Sequence, residues 1–306
     1  MLLVRSEKPF TPVEPNLPQR RVVTAIAGGL GNQMFQYAMA RRFAQVNQAE
    51  LLLYFGARYK PGSHRVYGLN KFRTAGRVAA ESEAGGLRRI KPMRRRLARL
   101  FPSLLPPKDS ELVKERDLRF NPDVLSLRGN AKFAGYWQSE RYFADIADII
   151  REDFALRDDL DRRSQATSHR IGRGPSCFVH VRRGDYLQED FGTCSLDYYR
   201  EAVRRVREQV GAEVRFFVFS DDPAWVREAQ VGGADAEVID WNGEAPERDL
   251  ALMRRCRHAI VANSSFSWWG AWLGDAAAAR LVIAPRVWMK GRSDCADIVP
   301  ERWLRL

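Results

Sequence analysis

Cysteine and histidine are scarce in this chain of 306 residues, with four of each. Cys177, Cys194, Cys256 and Cys295 stand far apart and form no C-x-x-C pair, which excludes a zinc ribbon and a disulfide framework and predicts reduced, structural thiols. The histidines have no ligand spacing either. No apolar run approaches the roughly 18 residues of a membrane span. The stretch Met1 to Val4, followed by Arg5, Glu7 and Lys8, lacks the apolar core and cleavage site of a secretory signal, so a cytoplasmic protein is expected. Internal repeats are absent. A complete dinucleotide fingerprint is missing too. Gly28-Gly29-Leu30-Gly31 starts one, but Met34 stands where the third glycine belongs, and Glu50 precedes the apolar run Leu51-Leu52-Leu53 instead of closing it. This argues against a nicotinamide or flavin enzyme.

What is present is a globular composition, 45% hydrophobic, with a formal net charge of +12. Such a balance favours anionic partners: nucleic acid, acidic membranes or phosphorylated small molecules. Arg88 to Arg99 holds seven basic residues with no interleaved aromatics of the kind that stack bases, so no nucleic-acid partner is expected. Met93, Leu97, Leu100, Phe101 and Leu104 follow helical spacing through that cluster, between Pro92 and Pro102. This allows peripheral contact with an anionic membrane, or a solvated basic face over a small core.

Prolines at positions 9, 12, 15 and 18 predict a poorly ordered arm over residues 1–20. Val22 to Ala27 reads as a buried strand, followed by a glycine turn and a helix from Asn32. The region from Tyr54 to Phe133 is poorly patterned. Ala131 to Trp137 reads as a strand, Glu140 to Phe154 as one helix, and the polar run Arg157 to Gly174 as a linker. The expected units are therefore residues 21–165 and 166–306. In the second, strands at Cys177 to Val181, Val214 to Phe219, Ala236 to Ile239, His258 to Ala262 and Leu281 to Ala284 alternate with amphipathic helices. That alternation predicts an α/β fold with a parallel sheet, whose ligands bind at the strands' carboxyl ends.

Three strand ends carry polar groups. His180-Val181-Arg182-Arg183-Gly184-Asp185 places two guanidinium forks where a phosphate would be held bidentately. A lone R-R-x-D is more often a local ion pair, Arg183 with Asp185, Asp190 or another local acid. Asn263-Ser264-Ser265-Phe266 offers hydroxyls and N–H groups at a helix start, as an anion site or as a plain cap. The tryptophans that follow read as core. Asp222 before Pro223 reads as a helix cap. Asp249 lies in the first turn of a short helix, placed to accept from a purine or to complement the helix dipole. Asp159-Leu160-Asp161 has the D-x-D form of a metal site, but no apolar strand precedes it, and a solvated linker is the better reading.

The ordered set of Gly28-Gly-Leu-Gly-Asn-Gln-Met-Phe-Gln-Tyr37, His180-Val-Arg-Arg-Gly-Asp185, Phe219-Ser-Asp-Asp222 and Ala262-Asn-Ser-Ser-Phe-Ser-Trp-Trp-Gly-Ala-Trp272 resembles the family 11 glycosyltransferases, the α-1,2-fucosyltransferases. The resemblance runs from about Val22 to Trp288. It implies a GT-B-like pair of Rossmann-like domains with a cleft between them. It implies GDP-fucose as donor, no metal or other cofactor, inversion at the fucose carbon, and a galactoside-containing glycan as acceptor, attacked at O-2. Donor-binding residues by this likeness are Gly31, Asn32, Gln33, His180, Arg182, Arg183, Asp249, Asn263, Ser264, Ser265 and Phe266. Asp249 stands sixteen positions before Ser265, where related families place the aspartate that reads guanine. Catalytic roles fall on Arg182 and Asn32, and on Asp185 or Asp190, with Glu189 nearby, as candidates for the base.

Overall fold

The computed structural model describes residues 20–56, 66–84, 110–184, 192–275 and 280–306. The basic cluster, the proline-rich arm up to residue 19, and Asp185, Glu189 and Asp190 lie outside them.

Strand β1 (Arg21–Ala25) carries Val22 and Val23 into the core and leads through Gly28 and Gly29 into helix α1 (Leu30–Asn47). Gly28 has φ +83°, a left-handed conformation that glycine adopts without strain. After β2 (Glu50–Tyr54), the short β3 (Arg77–Val78), β4 (Ser110–Lys114) and a single helical turn, α2 (Asp123–Ser126), comes β5 (Asn130–Ala134). These strands form a parallel sheet in the order β3-β2-β1-β5-β4.

The expected strand to Trp137 ends at Ala134 instead. Glu115 accepts hydrogen bonds from the Tyr136 and Trp137 amides at 2.6 and 2.8 Å, and Trp137 is held at φ +57°. The expected helix over Glu140 to Phe154 is also broken. Glu140–Tyr142 and Ala144–Ile146 are single 3₁₀ turns, and only Ala147–Asp153 (α3) is α-helical. Phe143 causes the break. It leaves the helical conformation, at φ −144°, to lie fully buried and stacked 5.4 Å from Trp269. Tertiary packing here overrides a good local periodicity.

The segment expected as a linker contains a helix, α4 (Arg162–Gly172), which runs through the anticipated boundary at 165/166. Asp161 caps it, accepting from the Ser164 amide at 2.9 Å. Its buried face is Ser164, Thr167, Ser168 and Ile171 against the later helix Pro246–Arg255. A face mostly of small hydroxyl residues carries little hydropathy signal, which is why the sequence reads as polar throughout. Asp161 of the D-x-D is thus a helix cap, paired with Arg248 at 2.8 Å, and Asp159 is exposed.

The second sheet follows the predicted alternation closely: β6 (Ser176–Val181), α5 (Leu196–Val210), β7 (Arg215–Ser220), α6 (Pro223–Glu228), β8 (Glu237–Ile239), α7 (Pro246–Arg255), β9 (His258–Ile260), α8 (Ser265–Leu273), β10 (Val282–Ala284) and β11 (Leu304–Arg305). All its pairings are parallel, in the order β11-β10-β9-β6-β7-β8. One hydrophobic core runs from Val22, Phe35 and Phe133 of the first half to Phe178, Phe217, Ala259 and Trp269 of the second. Among the described residues no helix is long and apolar enough to cross a membrane.

Candidate active site

Parallel sheets open a crevice where strand order reverses direction. In the first sheet the chain steps outward from β1 through β2 to β3, then crosses to β4 at the opposite edge and comes back to β5 beside β1, so the reversal lies between β1 and β5. In the second it lies between β6 and β9. The carboxyl ends of these four strands bear Gly28–Gln33, Gly135–Gln138, Arg182–Gly184 and Asn263–Phe266. Three of those four groups are motifs the sequence singled out.

The two halves meet at these ends. A methyl group added at Gly31 would lie 2.5 Å from the Ser265 carbonyl carbon and 2.6 Å from the Phe266 nitrogen. Trp269 Nε1 donates to the Gly31 carbonyl at 3.0 Å. Gly31 therefore lets the amino end of α1 abut the amino end of α8. Asn32, the next residue of the turn, accepts from Gln138 Nε2 at 2.7 Å. Gln33 is fully buried; its amide bonds Gly28 O at 3.1 Å, Val66 O at 2.9 Å and the Gly68 N–H at 3.0 Å. These bonds fix the glycine turn.

On the second half, Asp221 organises the arginine turn. Its oxygens accept from the Arg183 and Gly184 amides at 2.9 and 3.1 Å and pair with Arg182 Nη1 at 3.1 Å. Asp222 caps α6 through the Trp225 amide, at 3.1 Å, and also pairs with Arg183 Nε at 3.1 Å. The Arg183 guanidinium lies 4.0 Å above the Trp225 ring. The two arginines are thus unequal. Arg183 leans on α6, whereas Arg182 is anchored by Asp221 and keeps about a third of its side chain exposed (34%). His180 is buried with its ring 5.6 Å from Phe266, and its Nδ1 has no hydrogen-bond partner among the described residues. Burial and the neighbouring Arg182 charge push its pKa down to about 3, so the imidazole is neutral.

Ser264 caps α8, accepting from the Phe266 amide at 3.3 Å. Ser265 is partly exposed beside it. Asn263 ties loops together, donating to Gly192 O at 2.8 Å and Trp288 O at 3.2 Å. Asp249 sits partly buried in the first turn of α7 and accepts from Asn242 Nδ2 at 2.8 Å. Desolvation, with a smaller push from Glu247, raises its carboxyl to about 6. Trp268, Trp269 and Trp272 are core residues, as expected. Among the described residues no three metal-ligating side chains cluster. A separate groove of about 520 Å³, between α5 and the Ala229–Gly233 turn, contains none of these groups.

Sequence reasoning missed Gln138 and Asn242 and gave Asp221 no role. Asp221 was legible as part of Phe219-Ser-Asp-Asp222; Gln138 and Asn242 lie in irregular segments whose partners are remote in sequence.

The chain is similar to known proteins in sequence and in fold. The family model described as Glycosyl transferase family 11 matches residues 123–297. An α-1,2-colitosyltransferase of Escherichia coli is 30% identical over 302 residues, 93% of this chain and 98% of that protein. The O-antigen biosynthesis glycosyltransferase WbnK of Escherichia coli is 29% identical over 92% of this chain and 99% of its own length. The galactoside α-(1,2)-fucosyltransferase 1 of Ateles belzebuth is 29% identical over 80% of this chain and 63% of its own. By fold, the chain is similar to NodZ α-1,6-fucosyltransferase soaked with GDP-fucose, with a TM-score of 0.52 at 16% identity, covering 84% of this chain and 93% of that one. The chain belongs to glycosyl transferase family 11, the fucosyltransferase family its ordered motifs resemble, and is a glycosyltransferase of GT-B fold.

Proposed function

We propose that this enzyme transfers L-fucose from GDP-fucose to a sugar hydroxyl, O-2 of a terminal galactoside, with inversion and without a metal. The observation that carries the reading is the contact of the Gly31 turn with the capped end of α8, beside the strand end where Asp221 anchors Arg182, at the reversal points of two parallel sheets. Breaking the sugar–phosphate bond leaves charge on the β-phosphate. Arg182 supplies a fixed positive charge there, and such preorganised donors are worth roughly 10²–10³ in rate. Asp221 holds Arg182 in place, so less reorganisation is needed as the charge develops. The hydroxyl and N–H groups around Ser264 and Ser265 supplement it. Asp249 accepts from guanine, and Asn32 faces the sugar.

The test is transfer from GDP-fucose to a β-galactoside in EDTA, with NMR of the product to read linkage and anomeric configuration. GDP-colitose is run in parallel because one relative is a colitosyltransferase. Arg182→Ala is expected to lower kcat by roughly 10² or more. Arg182→Lys should fail nearly as badly, because lysine keeps the charge but loses the fork. No GDP release with any sugar acceptor, or full activity in Arg182→Ala, overturns the proposal.

A further inference from the structure

Behind Asp249 runs a line of side chains that the donor reading does not use. Asn242 is almost fully buried, at 3% exposed, and Ser164 is fully buried. Asn242 Nδ2 donates to Asp249 Oδ1 at 2.8 Å. On its other side, Asn242 Oδ1 lies 3.3 Å from the Ser164 hydroxyl. That hydroxyl is also 3.2 Å from Asp161 Oδ2, and Asp161 is itself fixed by the Ser164 amide at 2.9 Å and by Arg248 Nη1 at 2.8 Å.

This geometry admits one orientation of the Asn242 amide. A carboxylate has no proton to give, so the amide must turn its NH₂ toward Asp249. Its oxygen then faces the Ser164 hydroxyl, whose single proton is shared between Asn242 Oδ1 and Asp161 Oδ2. The carboxylate of Asp249 is thereby held at one oxygen by a buried, oriented donor. A carboxylate with a fixed plane suits guanine, which presents N1–H and the N2 amino group side by side. Adenine presents an acceptor at N1, and hypoxanthine has N1–H alone. A carboxylate released from Asn242 turns to make one bond with guanine or hypoxanthine alike.

We propose that Asn242, oriented by Ser164 and Asp161, is the positioning residue that makes the donor site selective for guanine. The inference rests on Asp249 as the base reader. It also gives α4, the helix hidden in the polar segment, a functional connection, because the line starts at that helix's cap.

The test is calorimetric titration of the full chain with GDP, IDP and ADP, for the wild type, Asn242→Ala and Ser164→Ala, with melting curves to confirm folding. Wild type is expected to bind GDP about 10-fold more tightly than IDP, and ADP more weakly still. In Asn242→Ala the GDP-to-IDP ratio falls toward 1 while IDP affinity changes little. In Ser164→Ala the ratio falls part of the way, which keeps the test decisive if Asn242→Ala folds poorly. A merely structural role lowers GDP and IDP affinity by the same factor and leaves the ratio unchanged; that result overturns the proposal. Wild type binding GDP no better than ADP would instead remove the reading of Asp249 itself, and this inference with it.

Discussion

Asp249 is held against its own solvation. Burial pushes its carboxyl up to about 6 and Glu247 adds to the push, while the Asn242 hydrogen bond opposes both. An acid whose folded pKa is raised binds its proton more tightly when folded. Its favourable contribution to stability is therefore complete below about pH 4, the ordinary aspartate range, and is lost as pH rises through about 6. Above that, the ionised carboxylate costs stability, about 1.4 kcal/mol for each tenfold gain in proton affinity on folding. Asp249→Asn is expected to raise Tm at pH 8 by a few degrees, with the advantage vanishing near pH 4. The same change weakens GDP binding at pH 8. Melting curves across that range, beside GDP titrations, check both halves; equal Tm values at pH 8 would contradict the burial argument. The residue's place in the first turn of a short helix was legible in the sequence. Its partner Asn242 was not, because an asparagine between Trp241 and Gly243 looks like any loop residue until α4 is packed beneath it.

At the scale of elements, the junction between α1 and α8 is made by the absence of a side chain. Gly31 is not at a left-handed φ, so alanine suits its backbone; what forbids alanine is the Ser265 carbonyl carbon at 2.5 Å. Backbone cannot rotate away as a long side chain can, so the helices must separate. Overpacking of this kind costs about 1–3 kcal/mol. Separation also moves Asn32 away from the serines, so Gly31→Ala is expected to lose both Tm and transfer activity. Gly29→Ala, with nothing within 4 Å of its added methyl, is expected to keep its Tm. A Gly31→Ala enzyme with wild-type Tm and activity would show that the contact is loose. The strand–turn–helix around this glycine was readable from a short apolar run ending in Gly28-Gly29. The broken helix after Glu140 was not, because Phe143 and Ile146 follow helical spacing, and only contact with Trp269 and Trp272 from the far half decides otherwise.

For the whole molecule, those tryptophans settle how the two sheets behave together. Trp269 lies at the middle of an aromatic cluster: Phe35 at 4.9 Å and Phe154 at 5.1 Å come from the first half, Trp268 at 5.0 Å and Trp272 at 5.3 Å from its own helix. Its indole N–H reaches across to Gly31. The core is therefore shared, and neither sheet loses its partner without exposing large aromatic surface. The polar segment read as a linker fits the same picture, since α4 packs on α7 and is not a free tether. Hydropathy could not show this, because the sharing is carried by residues that each half's local pattern already assigns to its own core. Wild type is expected to unfold in one calorimetric transition despite its two sheets. Trp269→Ala removes the central ring and leaves the indole's acceptor at Gly31 unpaired, a loss of about 3–5 kcal/mol. The halves should then melt separately, giving two resolved transitions, whereas Trp269→Phe, which keeps a ring, should retain one at lower Tm. Two transitions already present in wild type would mean that the shared core does not couple the sheets. The cleft would then be set by ligand binding rather than by the fold.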